Sequence, residues 1–400
     1  MIALARLKPY LALCPLAAVL FLASCTSDKV APAPTTAQAQ KTLNANNGRP
    51  IARQPQATVV PATIGGPRKV ALLLPLSGAQ GAVGQSLMNA AMLAVQELAP
   101  ANLEVSVEDT AQTGGVQAAF NAARGQGAQL VIGPLFSSDV QAIKGEAAIS
   151  GIPILALSND TDLAGQNTYI AGFWPGAQIA RVLLYAQKRG YHNIAMLLPD
   201  DAYGRKVEAA VNSTLQPPSR LITLGRYHAS DYTPAVMQLA QVRGQYDALL
   251  VPAAGDQLFG LLQALQQQDL LKGAGGKPVQ LLGSGQWDEP ETQRRPELAG
   301  AWYAAPEPEN WQAFAARYQR AFGAPPLRIA SLAYDTTALA AVLASRNWPY
   351  NAQAITQKQG FAGVDGLFRM QGNGLVERGL AVLQLSPSGA TVADPAPKQF

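Results

Sequence analysis

Short apolar runs and longer amphipathic stretches alternate along the chain. The runs at 70–75, 104–108, 130–132, 152–157, 194–198, 221–227, 248–251 and 279–282 predict strands. Between them, apolar positions three and four residues apart predict helices over 83–98, 116–124, 139–149, 176–188, 205–213, 234–243 and 257–267. Strands that read as nearly continuous apolar runs, each followed by a helix, predict parallel sheets covered by helices on both faces. After a further apolar run at Trp302–Ala305, two longer helices are expected over 309–322 and 329–344. A β-rich tail follows, in which "FRMQGNGLVERGLAVLQL" reads as a hairpin turning at Gly372 to Gly374. No short internal repeat interrupts this order.

The first 68 residues follow neither period. Arg6 and Lys8 precede an apolar run over 10–22, which is interrupted by Pro15, too short to span a bilayer, and flanked like a secretory signal. The run ends in "LASC", which resembles the lipobox of bacterial lipoproteins. That resemblance implies a signal peptide over 1–24 and acylation of Cys25 as the first mature residue. Residues 26–68 are rich in Ala, Pro, Gln, Thr and Asn, the composition of a disordered tether with an r.m.s. span of about 35 Å and a maximum reach of roughly 140 Å. Residues 69–400 exceed a usual single core, so two lobes are expected.

Charge and cysteine content narrow the chemistry. The formal net charge is +4, but seven basic residues and one acid precede residue 69, leaving 23 basic and 25 acidic groups beyond it. The folded part is therefore not basic, and a nucleic-acid partner is not expected. The 2 cysteines are Cys14, inside the signal, and Cys25, so no disulfide framework, thiolate zinc site or cysteine nucleophile is expected in the domain. His192 and His228 lie far apart, and neither a metal nor a cofactor is expected.

The loop "LLLPLSGAQGAVGQS" carries Gly78, Gly81 and Gly84 in G-x-x-G-x-x-G spacing without a lysine, which fits neither nucleotide-binding fingerprint. G-x-S-x-G, S-x-x-K and H-E-x-x-H are missing, and an enzyme is not expected. In open α/β sheets the ligand crevice lies beyond the carboxyl ends of the strands. The residues collected there are Ser77, Ser137, Ser138, Ser158, Asn159 and Tyr203, a set suited to a small carboxylate or a polar neutral ligand. Each serine also suits a helix cap or turn.

The ordered set "VALLLPLSGAQGAVGQ", "LVIGPLFSSDV", "IPILALSND", "PDDAYGRK", "LLGSGQWD" and "ASLAYDTTALAA" resembles the type I periplasmic binding-protein fold of leucine/isoleucine/valine-binding proteins. With "GFAGVDGLFRMQGNG", "RGLAVLQL", a lipobox and a tether, the chain looks most like the penicillin-binding protein activators of that superfamily. The resemblance implies two lobes, one over about 69–172 and 306–359 and the other over about 173–305 and 360–400. Three crossovers would join them, near 171–175, 303–308 and Gly360. It also implies carboxylate binding by the serines of "FSSD" and closure of Tyr203 over a ligand. Two positions depart from the amino-acid site: Asp160 and Thr161 replace small residues, and the ammonium partner falls at Gly285 and Gln286, where only Asp288 could supply a carboxylate. An unpartnered buried ammonium is costly, which argues against free amino acids. The expected function is non-catalytic activation of a bifunctional peptidoglycan synthase from the periplasmic face of a bacterial membrane, with the outer membrane expected from the residue after the cysteine by resemblance to bacterial sorting rules. The alternative is a solute-binding receptor of an ABC transporter.

Overall fold

Residues 66–228 and 231–400 are described by a computed structural model; the signal run, Cys25 and residues 26–65 of the expected tether lie outside the described residues, while Arg68, assigned to the tether by composition, is buried at the start of the first strand. Five strands form the first sheet: β1 (Arg68–Leu74), β2 (Leu103–Asp109), β3 (Leu130–Ile132), β4 (Ile154–Ala156) and β5 (Thr168–Ile170). They are all parallel, in the order β2-β1-β3-β4-β5. The helices between them are α1 (Gly81–Leu98), α2 (Gly115–Gly125) and α3 (Ser137–Ile149).

A second sheet repeats the arrangement. Strands β6 (Asn193–Pro199), β7 (Arg220–Tyr227), β8 (Ala248–Leu250), β9 (Gln280–Gly283) and β10 (Trp302–Ala305) run parallel in the order β7-β6-β8-β9-β10. Helices α4 (Pro175–Lys188), α5 (Ala202–Thr214), α6 (Thr233–Ala240), α7 (Gly255–Gln267) and the short α8 (Pro290–Gln293) accompany it. Each lobe is thus a doubly wound sheet with one switch point, between β1 and β3 in the first and between β6 and β8 in the second.

Why the strands read as unbroken apolar runs is visible in the core. Val70, Leu72 and Leu74 enter one apolar cluster while Ala71 and Leu73 enter another on the opposite face. Ile194, Met196 and Leu198 likewise part from Ala195 and Leu197. Successive side chains point to opposite faces, and helices cover both, so neither set can be polar.

From β10 the chain enters α9 (Pro308–Phe322) and α10 (Ala330–Ser345), followed by the short α11 (Ala352–Ile355). α10 packs against α1 and buries all but two of its residues, which is why its sequence is apolar on every side. A three-stranded antiparallel sheet follows, β11 (Phe361–Gly363), β12 (Gly366–Met370) and β13 (Val376–Arg378), with the expected turn between β12 and β13. Phe361, Val364, Phe368, Met370 and Val376 join the cluster beneath the first sheet. β14 (Ala381–Ser386) and β15 (Gly389–Asp394) then extend the second sheet antiparallel beside β10. The third passage between lobes is therefore spread over this small sheet and completed at residues 379–380, instead of being one step at Gly360.

The last residues return to the crossovers. The Ala396 amide donates to Glu307 Oε1 at 2.9 Å, Pro397 lies against Gly379, and the Phe400 ring sits 4.5 Å from the Arg369 guanidinium. Among the described residues no helix is long and apolar enough to cross a membrane.

Candidate functional site

The carboxyl ends of β4, β6, β9 and β10 converge on a cavity of about 240 Å³. Asn159 reaches it from the loop after β4, Tyr203 from the first turn of α5, Gln286 and Asp288 from the loop after β9, and Arg328 from the segment before α10. Phe173 and Gln178 close it from the first crossover and α4. A larger hollow of about 690 Å³ opens at the opposite, amino ends of β6, β8 and β9. Its Asp247 carboxylate is already taken by the backbone amides of His192 and Asn193 and the Asn193 side chain. The crevice rule and the convergence of side chains both favour the smaller cavity.

Several of the cavity's polar groups are engaged with neighbours. The Tyr203 hydroxyl donates to Ser284 Oγ at 3.0 Å; burial above all, with Asp201 nearby, pushes its pKa up to about 12, so it is a neutral donor. The Gly285 amide donates to Gln178 Oε1 at 3.0 Å. Asp288 accepts from Tyr303 and Gln293, both at 3.1 Å, and pairs with Arg328 at 3.4 Å. Burial raises the Asp288 pKa, and the arginine only partly offsets it.

Across the cleft, Lys206 of α5 donates to Asp160, beyond β4, at 2.7 Å, with Asp162 at 3.5 Å. The Lys206 hydrogen bond holds the Asp160 carboxyl below its ordinary value. This ion pair and the Arg328–Asp288 pair join groups from the two lobes directly.

Of the residues singled out from the sequence, Asn159 and Tyr203 line the cavity. Ser77, Ser137, Ser138 and Ser158 are not among its lining residues, and local bonding explains three of them. The exposed Ser77 donates to Asp109, whose carboxyl is lowered because these and neighbouring amide hydrogen bonds outweigh the opposing effect of burial. Ser137 opens α3 in an exposed position, and Ser138 bonds Asp139 in that helix's first turn. Ser158 is buried and its Oγ accepts from the Asp160 amide at 3.2 Å, forming a turn.

Arg328, Lys206, Gln178 and Phe173 were not anticipated. One signal was readable: "ASLAYDTTALAA" places Asp335 in a helix apolar all round, which calls for a buried cation somewhere in the chain. Among the described residues no cluster of His, Cys, Asp and Glu is arranged to hold a metal.

Comparison with known proteins agrees with this architecture. A Rhodospirillum rubrum protein assigned to branched-chain amino acid ABC transport superposes with a TM-score of 0.71 at 17% identity, over 82% of this chain and 99% of its own. The LpoA C-domain of Haemophilus influenzae, described as a regulator of PBP1A, gives 0.64 at 18%, over 81% and 99%. A leucine-binding protein LivK of Thermotoga maritima gives 0.58 at 17%, over 82% and 99%. These likenesses establish the fold. An uncharacterised protein of Rickettsia prowazekii is 22% identical over 147 residues, 37% of this chain, and the match spans only 39% of that relative's length. The family profile described as periplasmic binding protein matches residues 67–390, and on that match, with the two-lobed fold above, the chain belongs to the type I periplasmic binding-protein family.

Proposed function

We propose that the chain is a non-catalytic regulator that activates a bifunctional peptidoglycan synthase, held through Cys25 to the periplasmic face of a bacterial membrane. The observation that carries this reading is the occupation of the cleft by the protein's own charges. Arg328 pairs with Asp288 in the wall of the cavity, and Lys206 with Asp160 puts an ammonium and a carboxylate across the lobes beside it. An entering amino acid would meet an Asp288 carboxylate already paired with Arg328. The structural likeness to LpoA and the lipobox support the same reading. A tether of this reach presents the domain at high effective concentration, so a modest interface suffices.

The second reading, a transporter's solute receptor, is favoured by the cavity itself, whose Asn159, Tyr203 and Gln286 face a space suited to a small polar molecule. One experiment separates the two. Glycan polymerisation and peptide crosslinking by a purified bifunctional synthase are measured with and without the chain carrying Cys25→Ser, with no small molecule added. Rates should rise, and Tyr203→Phe should leave the rise nearly unchanged. Leucine, isoleucine and valine should bind weakly by calorimetry. Unchanged rates at about 100 μM chain, with micromolar binding of a solute, would select the transporter receptor.

The anchor is tested separately. Cys25→Ala should move the protein from the membrane pellet to the supernatant without changing its thermal midpoint. Retention in the pellet after a high-salt wash would refute an acyl anchor.

A further inference from the structure

Four charged side chains meet where the lobes join. Asp335, from the middle of α10, accepts from the amides of Val364 at 2.6 Å and Asp365 at 3.4 Å, and lies 3.8 Å from the Arg378 guanidinium of β13. Asp365, in the turn between β11 and β12, lies 2.9 Å from Arg328, an ion pair without hydrogen-bond alignment. Both aspartates are at most 1% exposed, and Arg378 is 9% exposed.

The arginines reach every passage between the lobes. Arg378 donates to the Ala171 carbonyl at 2.7 Å and stacks 5.0 Å from Phe173, both in the first crossover. Arg328 lies 5.1 Å from the same ring, lines the cavity with Pro306 of the second crossover, and pairs with Asp288 of the second lobe. Asp365 and Arg378 belong to the segment that makes the third.

The cluster is close-packed but under-bonded. Both Asp365 oxygens and the Arg378 Nε and Nη1 atoms are buried without hydrogen-bond partners. Such a network is held by charge rather than by satisfied geometry, and a change in one charge redistributes the whole.

We propose that the Asp335–Asp365–Arg328–Arg378 cluster is a proton-operated lock on the angle between the lobes. Burial first, and the Asp365 charge second, raise the Asp335 pKa to about 7, with Arg378 and the two amides opposing. The first crossover brings no charge to the cluster, only the Ala171 carbonyl and the Phe173 ring that Arg378 holds. A lobe movement that admits water to Asp335 returns its pKa toward about 4. The packed arrangement therefore binds the proton more tightly. It is favoured in full below about pH 4 and loses that support as pH rises to about 7, by at most tenfold per pH unit.

The test uses the full chain with Cys14 and Cys25 changed to Ala and spin labels at two exposed helix positions, Gln141→Cys in the first lobe and Ala209→Cys in the second. Interlobe distances are recorded from pH 5.5 to 8.5. The short-distance population should dominate at pH 5.5, fall through pH 7 and level off above it. Asp335→Asn should keep it short throughout, and Asp365→Asn should displace the transition. As a control away from the cluster, His192→Gln with His228→Gln should leave the transition in place. A distance independent of pH, or a transition unchanged in both aspartate variants, would overturn the lock. So would failure of both variants to fold, which would make the cluster a requirement of the fold.

Discussion

Arg328→Met is expected to destabilise the domain by about 3–5 kcal/mol at pH 8, the cost of leaving buried carboxylates without their counter-ion. The Arg328 side chain is only 20% exposed. Although burial works against its charge, Asp365 and Asp288 hold its pKa above the ordinary arginine value. Its plane also lies 4.6 Å from Trp311 and 5.1 Å from Phe173, contacts that methionine replaces only in part. Once the cation is gone, Asp288, whose carboxyl pKa burial already raises, is relieved only by taking up a proton. A carboxyl whose folded pKa lies above its unfolded value contributes stability at low pH that is lost as pH rises. The deficit should thus be largest at pH 8 and shrink toward pH 5. Urea unfolding at the two values measures it, and Asp365→Asn added to Arg328→Met should recover part of the loss. A deficit below about 1 kcal/mol at pH 8 would mean that the pairs are exchanged for water at little cost.

Gly84→Ala and Gly204→Ala should each cost about 1–3 kcal/mol through overpacking, far more than alanine costs at an ordinary helix position. Gly84 lies in the first turn of α1, where a Cβ would run into the carbonyl of Pro75 at the end of β1. Gly204 holds the matching place in the second lobe, where a Cβ would run into the Pro199 carbonyl at the end of β6. Both helices could accommodate the methyl only by moving away from the strand that feeds them. Of the three glycines in the loop after β1, Gly84 is thus required by close helix–strand packing. Thermal midpoints compared with Gly145→Ala, where a Cβ meets nothing within 4 Å, provide the internal reference. Equal effects at the three positions would show that the strand ends yield without cost.

The lobes were legible because period and burial coincide. A strand covered on both faces cannot carry a polar alternate, and an amphipathic helix displays its three-and-four spacing openly. β5 and β15 escaped for opposite reasons. β5 is only Thr168–Ile170, too short for a period to register, and β15 reads GATVAD, an edge strand without a buried face. The site was harder. Ser77, Ser138 and Ser158 sit where chain position alone suggests ligands, yet a serine hydroxyl is as readily used by its own turn, and sequence does not separate the two uses. Asn159 and Tyr203 line the cavity because each follows a strand end. Arg328 and Lys206 were not legible, since each is paired with an acid distant in sequence, Asp288 or Asp160, that only the fold brings near.

The return of the final residues to the crossovers bears on how this protein should be handled. Ala396, Pro397 and Phe400 are packed against Glu307, Gly379 and Arg369, so a purification tag or fluorescent fusion appended after Phe400 begins at the joint itself. Such an extension would compete with those contacts and bias any reading of lobe movement. Reporters and immobilisation handles belong instead near Ile149, which is 90% exposed at the end of α3.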